Sequence, residues 1–213
     1  MKVTLFGATG IVGRAVLRHL LDCGYEVNVL TRYPEKMNEN DSRLHVFVGE
    51  VINPADVQRA LDGSEAVIQT IGIGGKGDGR KTTVVSGANR VIMRCMDRAG
   101  IKRYVAISVI GAGDSIAFLP AIYRRVIMPL FQRWFIPIID DKNRMEADIF
   151  KSNLDWTVVR GTTVKERKPT GKVKASLDGK GIGFSISADG LADFMVRMIK
   201  DRSYLHECPT VSD

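Results

Sequence analysis

Gly7-Ala8-Thr9-Gly10-Ile11-Val12-Gly13 is the stretch on which the fold turns. The apolar run Val3-Thr4-Leu5-Phe6 stops at its first glycine. Beyond it, Ile11, Val12, Ala15, Val16, Leu20 and Leu21 recur at helical spacing. A glycine turn that joins a buried strand to a helix is built to hold phosphate. Gly7 permits the tight turn, Gly10 lets a diphosphate reach the backbone, and Gly13 lets the helix lie close to the sheet. Free N–H groups at the helix start, backed by the positive end of its dipole, face the anion. Thr9, Ile11 and Val12 therefore join the three glycines as candidate cofactor-binding residues. A bare glycine pattern is weak; the strand before it and the helix after it give it weight.

Working outward, Gly24 ends the first helix and Val27 to Leu30 forms a second strand. Leu44 to Val48 reads as a third strand, and Pro54 to Leu61 as a helix with proline in its first turn. Ala66 to Thr70 is a fourth strand. The glycine-dense loop Gly72 to Gly79, either a mobile cover or a plain surface loop, leads to a helix over Thr82 to Ala99 closed by Gly100. Tyr104 to Ser108 and Trp156 to Arg160 are the fifth and sixth strands, separated by a mostly helical insertion, Gly111 to Asn153. After Val164 come a strand at Lys172 to Ser176, a turn at Asp178-Gly179 and a helix over Leu191 to Ile199. This rhythm predicts right-handed β-α-β crossovers. The expected fold is α/β: a single-domain Rossmann fold with a doubly wound, mainly parallel sheet over residues 1–213. The substrate pocket is expected from 111–153 and 161–190.

Composition excludes other classes. The chain has 213 residues, 45% of them hydrophobic and 26% charged, which suits an ordinary globular protein. Its net charge of +7 is scattered rather than blocked, which favours a positive cofactor cleft over nucleic acid. No apolar run is long enough for an integral membrane segment; the nearest, Ala117 to Ile139, is broken by Arg124, Arg125, Gln132 and Arg133. Cys23, Cys95 and Cys208 read as reduced, semi-buried thiols of a cytoplasmic protein, and no leader precedes the first strand. His19, His45 and His206 have no metal-like spacing, so no metal is expected. A monomer is slightly favoured.

The residue after the second strand speaks to the choice of dinucleotide. NAD sites usually carry Asp or Glu there for the ribose 2′-hydroxyl. This chain has Thr31-Arg32, and a guanidinium binds a 2′-phosphate with paired, charge-assisted bonds. Arg32, assisted by Lys36, predicts NADP(H).

Gly-Ala-Thr-Gly-x-x-Gly followed by Gly-Tyr-Glu-Val-x-Val-Leu-x-Arg resembles the atypical short-chain dehydrogenases with an NmrA-like NAD(P)-binding domain. Within them the resemblance is closest to the biliverdin-IXβ reductase/flavin reductase group. Val48-Gly49-Glu50-Val51, Thr82 to Asn89, Asp140 to Met145 and Leu177 to Gly181 carry it through nearly the whole chain. The resemblance implies Glu50 and Val51 beside the adenine, although the family usually has Asp in place of Glu50. It implies Thr70, Ile71 and Gly72 at the ribose and nicotinamide side and Ser108 near the nicotinamide. Arg160, Gly161 and Thr162 would stand near the carboxamide.

One departure matters for mechanism. No tyrosine has a lysine four residues later, so the Tyr-x-x-x-Lys proton donor of ordinary short-chain dehydrogenases is missing. The reductase group commonly has histidine where this chain has Lys142. That lysine has two readings: it orients a substrate or relays a proton, or it is a solvated helix-surface residue. Asp140-Asp141 reads as a cap for the helix that follows. Phe131, Trp134 and Phe135 serve either as a platform for a flat substrate or as core. The functional expectation is an NADPH-dependent reductase acting on a small aromatic or conjugated acceptor, such as a flavin, quinone or linear tetrapyrrole. Ser108 and Lys142 are its candidate catalytic residues. The alternative is a non-catalytic NADP(H)-binding redox sensor; an epimerase is disfavoured by the short segment after Val164.

Overall fold

The computed structural model describes residues 1–73, 79–118 and 128–213, with side chains outside 128–134. Its strands are β1 (Lys2–Phe6), β2 (Glu26–Thr31), β3 (Leu44–Val48), β4 (Ala66–Gln69), β5 (Arg103–Val109), β6 (Asp155–Gly161), β7 (Thr163–Lys165), β8 (Lys174–Ser176), β9 (Ser185–Ser187) and β10 (Thr210–Ser212). Its helices are α1 (Ile11–Asp22), α2 (Pro54–Ala60), α3 (Val84–Ala99), α4 (Met128–Phe150) and α5 (Ala188–Arg197). The main sheet runs β3-β2-β1-β4-β5-β6-β10-β8, parallel except for β8 on β10. The first six strands give the Rossmann order, which reverses between β1 and β4 and opens a crevice at their carboxyl ends.

Alternation along each strand divides the core into two layers. Val3, Leu5, Val27 and Val29 face α1 and α5, where Val16, Leu20, Leu191 and Met195 are fully buried. Phe6, Leu30, Val67 and Tyr104 face α2, α3 and α4, against Val57, Ile92, Met145 and Ile149. Buried polar residues on that second face have matched partners. Thr4 Oγ1 and Asn28 Nδ2 both donate to the carbonyl of Ala60, at 2.8 and 2.9 Å. That carbonyl ends α2, where the helix itself supplies no donor. Tyr104 OH donates to Asn89 Oδ1 at 2.7 Å, and burial pushes the phenol far above its ordinary pKa.

Differences from the sequence reading fall mainly in the last third. β10 returns between β6 and β8, and β7 and β9 form a separate two-stranded parallel sheet. These are three-residue strands, too short for a hydrophobic period to register. α5 begins at Ala188, capped by Ser187 Oγ accepting from Gly190 N, rather than at Leu191. Asp141 is the clearest correction. α4 has already begun at Met128, so Asp141 is mid-helix and cannot cap its own helix. Its buried carboxylate instead accepts from the backbone N–H groups of Val85 (2.9 Å) and Ser86 (3.1 Å), in the first turn of α3. A negative group there satisfies two amides and faces the positive end of the α3 dipole. Cys23 also departs from expectation: it is exposed at the end of α1, whereas Cys95 is buried and Cys208 half-buried.

Replacing Asp141 by alanine strands those two amides. We expect a loss of about 2–3 kcal/mol, seen as a lower urea midpoint with unchanged slope, whereas Asp140→Ala on the exposed side of α4 stays within about 0.5 kcal/mol.

Candidate functional site

The glycine turn has the geometry its sequence predicts. Gly7 takes φ +91°, and a Cβ there would lie 2.8 Å from the Thr70 backbone. A Cβ on Gly13 would lie 2.0 Å from the Gly7 carbonyl oxygen, so α1 can seat on the turn only with glycine. Gly10 differs, since a Cβ there would meet only Gly7 O at 3.5 Å. Gly10 N donates to Gly7 O at 3.1 Å, closing the turn. Gly10 caps α1 with no side-chain hydrogen bond, and the first turn of the helix holds no acidic residue. The helix start therefore presents amides and positive dipole to the space in front of it.

That space is one cleft of about 970 Å³ running across the carboxyl ends of the strands. Of the predicted residues, it is lined by Gly7, Thr9, Gly10, Ile11, Val12, Arg32, Val51, Thr70, Ile71, Gly72, Ser108, Lys142, Gly161 and Thr162. Both segments expected to form the pocket contribute, through Phe118, Phe135 and Ile138 on one side and Val164, Ile182 and Phe184 on the other. Phe118 lies against the backbone of Gly179, where a Cβ would come within 2.5 Å of its ring, so the two walls touch. Residues 74–78 of the glycine-dense loop, and the side chains of Phe131 and Trp134, lie outside the described residues; Phe135 is half exposed at the cleft.

At the end of the cleft beside the glycine turn, Arg32 follows β2, with its guanidinium carbon 5.2 Å from the centre of the Tyr33 ring. Arg14, which the sequence reading passed over, joins it in the lining and donates to Thr9 O at 2.8 Å. Its signal was its place one residue after Gly13, on the exposed face of α1's first turn. Lys36 is exposed outside the lining, its Nζ 4.1 Å from the centre of the same Tyr33 ring. Glu50 is also exposed outside it, its N–H donating to Asp56 at 3.0 Å, while its neighbours Gly49 and Val51 line the cleft.

At the other end, three residues require separate accounts. Ser108, near the end of β5, is wholly buried, and its Oγ has no hydrogen-bond partner. Lys142 is also buried, which removes the reading of a solvated surface lysine. Its Nζ donates to Ile107 O at 2.9 Å and Ile71 O at 3.2 Å, joining the exits of β5 and β4. An ammonium has three hydrogens, so one remains for the cleft. Burial pulls the Lys142 pKa down to about 8, against the opposing pull of Asp141 and Glu146.

Arg160, expected near the carboxamide with Gly161 and Thr162, is not in the cleft lining as they are. Its guanidinium is spent on Glu146, through Nε (3.1 Å) and Nη2 (2.8 Å), and on Asp114, through Nη1 (2.6 Å). Both members of the Glu146 pair are almost completely buried, and such a pair is held by mutual compensation rather than offered to a ligand. The pair raises the pKa of Arg160 above its ordinary value, despite burial. Cys208 is pushed up to about 12 by burial and so stays a thiol at neutral pH.

A glycine turn closed to side chains and an open helix start are what the diphosphate of a bound dinucleotide requires. A family model described as NAD(P)H-binding matches residues 7–202. The chain belongs to that NAD(P)H-binding family. Among its relatives is the UPF0659 protein YMR090W of Saccharomyces cerevisiae, 27% identical over 99% of this chain and 90% of that protein. Among solved structures, ChuY of Escherichia coli O157:H7, described as an anaerobillin reductase, superposes with a TM-score of 0.81 at 20% identity, over 100% of this chain and 97% of that one. A wide-type short-chain dehydrogenase/reductase of Veillonella parvula, solved in complex with NADP, gives 0.82 at 15% identity, over 100% and 94%. These two likenesses show the shared fold. No described helix is long and apolar enough to cross a membrane.

The depressed Lys142 pKa has a measurable consequence. The unfolded lysine, near 10.5, holds its proton over a range where the folded one, near 8, has lost it. Unfolding then takes up a proton, so this residue's contribution to stability rises as pH climbs from about 8 to 10.5. Urea unfolding of the wild type should gain on Lys142→Met across that window and run parallel to it below pH 7.

Proposed function

We propose that this chain is an NADPH-dependent reductase that transfers hydride to a flat, conjugated acceptor: a flavin, a quinone or a linear tetrapyrrole. The observation that carries the reading is the Ser108 hydroxyl, buried, unpaired and lining the same cleft as the glycine turn. Buried polar groups are paired in the great majority of cases; among the described residues Ser86 Oγ and Thr210 Oγ1 are also unpaired, but of the three only Ser108 lines the cleft, and that conjunction supports a ligand there.

The dinucleotide supplies a hydride from the C4 position of its nicotinamide. The chain's own residues do the rest. The amides at the start of α1 hold the diphosphate. Arg32, with Arg14 in the same lining, binds the 2′-phosphate and sets the preference for NADPH. Val51 borders the adenine; Thr70, Ile71 and Gly72 border the ribose; Gly161 and Thr162 stand by the carboxamide. The Thr70 hydroxyl is already spent on Phe6 O at 3.0 Å, so its share is backbone and shape. Ser108 Oγ bonds an oxygen or nitrogen at the reacting end. Lys142, with a pKa near neutrality and one free hydrogen, carries a proton to the reduced acceptor.

This division of labour suits conjugated acceptors. They spread the incoming charge over their ring system, so positioning matters more than a strong built-in acid, and the missing Tyr-x-x-x-Lys is no obstacle. The pocket between residues 111–153 and 161–190 is then the acceptor site of a single-domain enzyme. Three free cysteines fit a reducing, cytoplasmic setting.

Absorbance at the NADPH band tests the reading, with FMN, a quinone and biliverdin as acceptors. Oxidation by at least one is expected; tight NADPH binding with no oxidation by any makes the chain a sensor instead. Ser108→Ala should lower kcat by about 100-fold, as loss of one preorganised donor does, while the NADPH Kd measured by calorimetry stays within about twofold. Arg32→Glu should weaken NADPH by roughly 100-fold, the worth of one to two charge-assisted bonds, and NADH far less. Equal losses for both dinucleotides would remove Arg32 from the phosphate site.

A further inference from the structure

The two ends of the cleft differ in chemistry. The diphosphate end is lined by backbone amides and two arginines. The acceptor end is walled by Phe118, Phe135, Ile138, Ile139, Val164 and Phe184. Among the described residues lining that end, Lys142 is the one cation, and two of its three hydrogens are held by strand carbonyls. Of the polar side chains there, Thr163 is exposed to solvent and the Thr162 hydroxyl is held by Val211 O at 3.1 Å, while Ser108 Oγ is buried and unpaired. Lys142 Nζ and Ser108 are also adjacent in space, since the carbonyl Nζ grips belongs to Ile107, the residue before Ser108. At the rim, Phe184 is 74% exposed and Phe135 50% exposed.

Each candidate acceptor class meets these walls differently. A flavin nucleotide carries a phosphate, and a linear tetrapyrrole carries propionate carboxylates. Lys142, the one cation on these walls, pairs with a single such charge only by giving up the hydrogen a ring carbonyl would take; any further charge loses water without gaining a partner, which costs several kcal/mol per unpaired charge. An uncharged ring with carbonyl groups has no such penalty. Its faces pack on aliphatic and aromatic side chains, and one carbonyl takes the hydrogens of the two buried donors, Ser108 and Lys142. Two phenylalanines exposed at the rim of the same cavity give an apolar substituent somewhere to lie, and apolar surface gathered at a pocket mouth commonly marks what binds there.

We propose that the acceptor is an uncharged para-quinone bearing an apolar side chain, with one ring carbonyl held by Ser108 Oγ and Lys142 Nζ and the side chain laid along Phe135 and Phe184. This rests on the reductase reading and narrows it to one substrate class. The balance is that of a two-electron reduction. The quinone gains the hydride, with its two electrons, and one proton that Lys142 draws from water; the products are the hydroquinone and the oxidised dinucleotide.

Binding separates this inference from the activity it rests on. Protein saturated with NADP⁺ is titrated by calorimetry with 2-methyl-1,4-naphthoquinone, a decyl-substituted benzoquinone, FMN and biliverdin. NADPH oxidation is followed in parallel with the same four compounds. The decyl quinone is expected to bind at least about 10-fold tighter than FMN or biliverdin, a difference of about 1.4 kcal/mol. Phe184→Asp, at an exposed site that the fold does not need, should cost the decyl quinone about 10-fold, since burying two methylenes is worth that much, and leave the tail-less naphthoquinone within about twofold. FMN or biliverdin binding tighter than both quinones, with turnover, overturns the quinone assignment and leaves the reductase standing. Equal loss of both quinones in Phe184→Asp overturns the placement of the side chain. NADPH binding without oxidation by any compound overturns the reductase reading and this inference together.

Discussion

Everything in this molecule depends on how closely α1 can approach the turn that follows β1. The Gly7 carbonyl stands where a side chain at position 13 would have to be, so the helix start is fixed by contact between backbones. Backbone contact tolerates little adjustment, unlike side-chain packing, which can repack around a change. That rigidity aims the first amides of α1 across the carboxyl ends of β1 and β4, where the strand order reverses. An anion placed there meets a preset array of donors instead of ordering one at its own entropic cost.

The opposite wall is held by charge. In α4, Asp141, Lys142 and Glu146 lie within six residues, and each is buried with a different partner: the first turn of α3, the carbonyl exits of β4 and β5, and the guanidinium of Arg160 on β6. A helix packed only by apolar side chains can slide or rotate slightly at small cost. One pinned at three points by groups that are expensive to leave unpaired cannot. Lys142 thus gains its position from its neighbours. The same burial that fixes it also removes solvent stabilisation of its charge.

The sheet order, the helices α1 to α3 and the glycine turn that borders the cleft were legible because strong periodicity and glycines at set spacing report backbone geometry directly. Arg32 was legible as the residue ending a strand beside the turn. The role of Asp141 was not, because a carboxylate that caps a helix 55 residues away leaves no local signal. Arg160 misled for a related reason: a strand-end arginine beside a cofactor crevice and one neutralised by Glu146 look alike until the fold brings Glu146 to it. The short strands β7, β9 and β10 were missed because three residues cannot show a period. Arg14 sat in plain view but needed the depth of the turn to reveal that it faces the cleft.

The contact between Phe118 and Gly179 bears on how such a protein can diversify. Phe118 belongs to the loop after β5 and Gly179 to the loop after β8, so two segments distant in sequence share one surface. A bulkier residue in either loop displaces the other, and its effect on the shape of the cleft then depends on what the second loop already contains. Substitutions in the two loops should therefore be epistatic, with coupling beyond the few tenths of a kcal/mol expected for independent sites. Reshaping this part of the cleft therefore calls for change in both loops in concert, while the glycine-turn half is free to stay as it is.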